Sequence, residues 1–152
     1  MKDITLRITG RSIQPDQNED EVLQFTTQGT LQQRGSVTRI SYPESELSGM
    51  EGCTTNIILS ANKMKMTRTG FNMENPTVLE FQIGKRYEGL YETPYGPVGV
   101  EVLTNSISGF EPNENGSKKL TVDYNVSLHG LMESRNLLDI EILSESESGA
   151  RH

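Results

Sequence analysis

Apolar and polar residues alternate with period two along most of the chain, the pattern of strands that bury one face. Ile4, Leu6 and Ile8 alternate with Thr5, Arg7 and Thr9. Residues 22–33 read as a long strand, with Gly29 marking a bulge or bend where a side chain is missing. Residues 37–42 continue the pattern until Pro43, which has no N–H to give a sheet ladder. Residues 54–60 contain the continuous run Ile57, Ile58, Leu59, expected of a strand covered on both sides. Next, Met64, Met66 and Arg68 alternate with Lys63, Lys65 and Thr67, and Leu79, Phe81 and Ile83 share a face. Tyr87, Gly89, Tyr91 and Thr93 follow at spacing two, and Pro94-Tyr95-Gly96-Pro97 is a turn into Val98, Val100 and Val102. The longest strict alternation runs from Leu120 to Leu128, and Leu138, Ile140 and Ile142 supply the last strand.

About ten strands spaced by roughly 8–12 residues, with no crossover helices between them, predict an all-β antiparallel domain. Closure removes the exposed edges of an open sheet, so an up-and-down barrel of about 8–10 strands is preferred to a Greek-key sandwich. The expected organisation is one domain over residues 1–143 and a flexible acidic C-terminal tail over 144–152, where no apolar anchor remains. Composition agrees. Two alanines against 14 threonines and 14 glycines are a poor basis for helices. Ile, Leu, Val and Phe make up about 24% of the chain, above the roughly 20% below which a charged chain stays disordered.

The net charge of −7 and the lack of a long basic tract argue against nucleic acid as a partner. That charge is uneven: residues 1–90 are near neutral, and most of the acidity lies beyond them. No apolar run approaches a membrane span and the N-terminal residues lack the apolar stretch of a signal peptide, so a cytoplasmic location without membrane contact is expected. A single cysteine, Cys53, agrees with a reducing compartment.

At Arg68-Thr69-Gly70, Leu79-Glu80-Phe81, Tyr91-Glu92-Thr93-Pro94-Tyr95-Gly96 and residues 104–107, the order and spacing resemble the YwiB-like family of small bacterial proteins. The resemblance implies a calycin-like β-barrel, related in shape to the lipocalins. It brings no catalytic, cofactor or ligand residues with it. With no tryptophan, the chain lacks the Gly-x-Trp signature of true lipocalins.

Catalytic signals are sparse. His129, the one internal histidine, is in phase with Asp123, Asn125 and Ser127, which reads as a surface position near a strand end. Cys53 has no CxxC partner, and no metal-ligand spacing is present, so neither a metal nor another cofactor is expected. Acidic residues such as Glu19, Asp20, Glu21, Glu111, Glu114, Glu145 and Glu147 fall in connections or termini, where charges are solvated. The sharper hypothesis is Arg68. It shares the phase of Met64 and Met66, so if they face the barrel interior the guanidinium does too. A buried arginine must be paired or hydrogen-bonded. With Tyr87, Tyr91 and Tyr95 it would line a cavity for a small, partly apolar or anionic ligand. The alternative, the more ordinary arrangement, is that Arg68 pairs with a glutamate or reaches solvent at the strand end. A ligand-binding barrel is thus one expectation; a non-catalytic interaction or homo-oligomeric module with a filled interior is another; an enzyme built on carboxylates and tyrosines is the third.

Overall fold

Every alternating segment forms a strand. The computed structural model describes residues 1–13, 20–44, 52–61, 63–70, 76–93, 96–112, 118–128 and 132–147, the side chains at 91–93, 96, 111–112, 132 and 147 excepted. The strands are β1 (Lys2–Ile13), β2 (Glu21–Arg34), β3 (Val37–Pro43), β4 (Cys53–Ser60), β5 (Lys63–Gly70), β6 (Thr77–Gln82), β7 (Arg86–Thr93), β8 (Gly96–Pro112), β9 (Lys118–Leu128) and β10 (Met132–Glu147). Among the described residues no helix is long and apolar enough to cross a membrane.

All ten strands belong to one antiparallel sheet in the order β6-β5-β4-β3-β2-β1-β10-β9-β8-β7. Two meanders, β1 to β6 and β7 to β10, are therefore joined through the β1–β10 ladder. The sheet curls into a nearly closed barrel whose interior, among the described residues, is filled by buried apolar side chains from β1 to β6 and β8 to β10: Leu6, Phe25, Ile40, Ile57, Met64, Phe81, Val102, Leu120 and Ile140, for example. Tyr87 of β7 packs against this core. Ile57 and Leu59 point inward while Ile58 is only half-buried, so β4 is not covered equally on both faces.

β2 and β3 approach each other closely at Gly29. A Cβ there would lie 2.2 Å from the Ser41 carbonyl oxygen and 3.1 Å from the Tyr42 Cβ. The missing side chain thus lets the backbone of β3 approach β2 closely.

The weak place is the seam between β6 and β7, where no strand ladder forms. Closure there rests on a bridge between Ile83 and Thr104, a bond from the Gly84 N–H to the Thr104 carbonyl (3.1 Å), and the Tyr87 hydroxyl, which donates to the Val78 carbonyl at 3.0 Å. Gly89 makes room for that ring: a Cβ at Gly89 would fall 2.7 Å from the Tyr87 hydroxyl. Tyr87→Phe is expected to cost about 1 kcal/mol, the net worth of one such bond. Urea denaturation checks this, and unchanged stability would show that the hydroxyl does not hold the seam.

β10 departs from expectation. It continues to Glu147, and Ser144, Glu145 and Ser146 pair with Thr5, Ile4 and Asp3. Residues 144–147 are therefore strand, where a flexible tail was expected. A ladder needs no apolar side chain, and Glu145 has ion-pair partners in Lys2 (3.4 Å) and Lys118 (3.6 Å). Residues 148–152 lie outside the described residues.

Candidate functional site

Antiparallel pairing fixes which residues share a face, because directly opposed side chains project to the same side. Tyr42, Thr55, Arg68 and Thr77 are successive cross-strand partners on β3, β4, β5 and β6. Tyr42, Thr55 and Thr77 are buried, so the whole row, Arg68 included, lies on the inner face. This answers the orientation of Arg68 that the methionine phase left conditional. The row sits at the end of the barrel where β3 and β5 finish, and Glu44, in phase with Ile40 and Tyr42, follows it inward.

These groups form one polar cluster. The Thr55 hydroxyl donates to Oε1 of Glu44 at 2.5 Å, and Nε of Arg68 lies 3.6 Å from the same oxygen. The Glu44 side chain is 3% exposed and that of Arg68 21%. Arg68 thus takes the internal glutamate partner named as its alternative. The pairing has a physical necessity, since either charge left alone in this interior would bear an uncompensated desolvation cost. It is still incomplete: among the described residues, Nε of Arg68 is buried without a hydrogen-bond partner. Tyr42 completes the cluster. Burial first, and then the Glu44 charge, push its phenol well above the usual tyrosine range, while Arg68 and a hydrogen bond with Thr55 pull the other way. Tyr42 therefore stays neutral at any ordinary pH.

Across the interior, Tyr124 lies edge-on to Phe81 with ring centroids 4.9 Å apart, a favourable aromatic geometry. Tyr124 is also close enough to Tyr42 to act on its ionisation. It lines a cleft of about 210 Å³ with Gly10, Ser12, Leu23, Asn136 and Leu138. Among the described residues, the Thr104 hydroxyl is a second buried polar atom without a partner.

The remaining candidate residues do not all gather here. Tyr87 faces the core, but its hydroxyl is engaged with Val78 at the seam, one residue along β6 from the partner of Arg68. Burial and the nearby Glu80 raise its pKa. Tyr91 occupies the β7 position opposite Val98, and its side chain is not among those described. Tyr95 and His129 lie outside the described residues. Tyr42, Glu44 and Thr55 were missed in the sequence. Tyr42 was visible as the last member of the Ile40 phase, and extending that phase two more residues reaches Glu44.

The outer face carries a second polar network. Asn105, the extra residue of a bulge in β8, donates to Asp123 (3.1 Å) and Asn125 (2.7 Å). Arg135 binds Asp123 in bidentate fashion at 3.0 and 2.6 Å. These hydrogen bonds, Arg135 foremost, hold the Asp123 carboxyl below the usual range. The network pins an exposed bulge. Among the described residues no three His, Cys, Asp or Glu side chains converge as a metal site would require.

A family model described as Domain of unknown function (DUF1934) matches residues 6–140. The crystal structure of ywiB protein from Bacillus subtilis is similar in fold, with a TM-score of 0.70 at 16% identity, over 96% of this chain and 93% of that one. At that identity the likeness speaks of fold alone. No curated protein matches the chain.

Proposed function

The chain belongs to the family described as Domain of unknown function (DUF1934), and for this member we propose the binding of a small, partly apolar ligand at the polar end of a calycin-like barrel. Arg68 is the polar anchor. The observation that carries the reading is its guanidinium, turned into the interior beside the polar row with Nε buried and, among the described residues, without a hydrogen-bond partner. Buried donors are almost always satisfied, so one that is not supports reading the position as a place that receives a partner. Tyr124, Leu23 and Leu138 around the neighbouring cleft would hold an apolar portion of the ligand. The role is binding without catalysis, in the cytoplasm; the single cysteine is what supports that compartment.

Native mass spectrometry of the protein purified from its own host tests this. A retained small molecule is expected, and Arg68→Met should lose it. If nothing is retained and Arg68→Met leaves small-molecule screens unchanged, the reading falls.

A second reading, a protein-interaction or homo-oligomeric module, is favoured by the apolar filling of the rest of the interior. Light scattering separates the two, because a concentration-independent monomer removes the oligomeric form.

A further inference from the structure

Arg68 already faces an anion, and the quality of that contact is informative. An arginine–carboxylate pair that serves stability is commonly bidentate, with N–O distances near 2.7–2.9 Å. This chain builds such a pair on its outer face, where Arg135 grips both oxygens of Asp123. In the interior, where pairing matters more, Arg68 comes no closer to Glu44 than 3.6 Å, beyond hydrogen-bond range. The oxygen it approaches is held at 2.5 Å by the Thr55 hydroxyl instead. The backbone of Glu44 is fixed, since its N–H donates to the Cys53 carbonyl at 2.9 Å and so prolongs the β3–β4 ladder. Only the side chain is left to move, at the end of the barrel where β3 stops.

We propose that Glu44 is a built-in occupant of the Arg68 anion site, and that the ligand is an amphiphilic monoanion whose head group takes the place of the Glu44 carboxylate against Arg68. The inference rests on the reading of Arg68 as the ligand anchor. The incoming anion makes the direct hydrogen bonds that Glu44 does not, including one to Nε, and its apolar body lies toward Tyr124 and the cleft. The displaced carboxylate swings away from Arg68 about its own side-chain torsions, the backbone of Glu44 staying where it is. Arg68 carries one charge, so the site suits one negative charge at a time. Glu44 thereby sets a threshold: weakly held anions fail to displace it, and binding is selective for molecules that add apolar contact to their charge.

The test is a fluorescence titration with 8-anilinonaphthalene-1-sulfonate, an amphiphilic monoanion, on variants whose near-ultraviolet circular dichroism matches the parent. Glu44→Gln keeps the shape and removes the competing charge, and is expected to tighten binding at least tenfold. Arg68→Met is expected to weaken it at least tenfold. Thr55→Val releases the carboxylate from its hydroxyl partner and is expected to tighten binding about threefold; it carries the test alone if Glu44→Gln does not fold. Loss of binding in Arg68→Met without tightening in either of the other two overturns the competition and leaves the anchor standing. Equal binding by the parent and Arg68→Met, or no binding by any protein, removes the anchor and the competition together.

Discussion

Phe81→Ala is expected to destabilise the fold by about 3–5 kcal/mol, the usual cost of emptying a fully buried aromatic site. Phe81 is 0% exposed, and its ring meets Tyr124 across the interior. The position magnifies the loss. β6 has a ladder on one side only, to β5, so its attachment across the seam depends on side-chain packing more than that of any strand ordered within a ladder on both sides. Removing the ring takes away a large, fully buried side chain of β6 and the edge-on partner of Tyr124 together. Urea denaturation followed by circular dichroism measures the effect. A change below about 1 kcal/mol, the centre of ordinary single substitutions, would mean that the interior collapses to fill the space and that the seam does not depend on Phe81.

Gly29→Ala is expected to cost about 1–3 kcal/mol or more, although it adds one methyl group. The methyl would sit 2.2 Å from the Ser41 carbonyl oxygen and 3.2 Å from the Ser41 carbonyl carbon, and backbone cannot rotate aside as a side chain does. β3 must move, and Tyr42 with it. The same substitution should therefore disturb the polar row, weakening the anion binding proposed for Arg68 along with stability. Gly10→Ala is the matched control: a Cβ there meets nothing within 4 Å, and a change within about 0.5 kcal/mol is expected. Equal effects at the two glycines would show that the close approach at Gly29 is not a constraint.

Strand positions were legible because one buried face imposes period two, and the Ile4-Leu6-Ile8 and Met64-Met66-Arg68 phases give the correct inward side. Strand lengths were less legible. β8 and β10 run on through Asn105, Ser108 and Ser144, where bulges break the alternation and backbone bonds continue without it. Arg68 was legible as an inward charge for the same reason of phase. Its partner was not, since Glu44 follows Pro43, where the alternation reads as ended, and only the bond from its N–H to Cys53 carries the ladder one residue further. Pairing between β3, β4 and β5 is what brings Tyr42, Thr55 and Arg68 into one row, and register between strands is a tertiary property that single-strand patterns do not contain. Tyr87 illustrates the converse: its inward phase was readable, while the use of its hydroxyl to bridge β6 depends on where the barrel fails to close.

The ladder from Lys2 opposite Glu147 to Ile13 opposite Arg135 joins the two meanders, and it sets the order of events during synthesis. Of the ten strands β1 leaves the ribosome first and its partner β10 last, so β1 to β6 can assemble as a meander early while one edge of β1 stays without its neighbour until the other strands have been made. Contacts this distant in sequence make for slow completion of the fold. In that interval an open strand edge invites pairing with other nascent chains, a hazard that charged edge residues blunt. Arg7 and Arg11 stand on β1, exposed even in the finished barrel. Before β10 arrives, their charges guard the edge that it will cover.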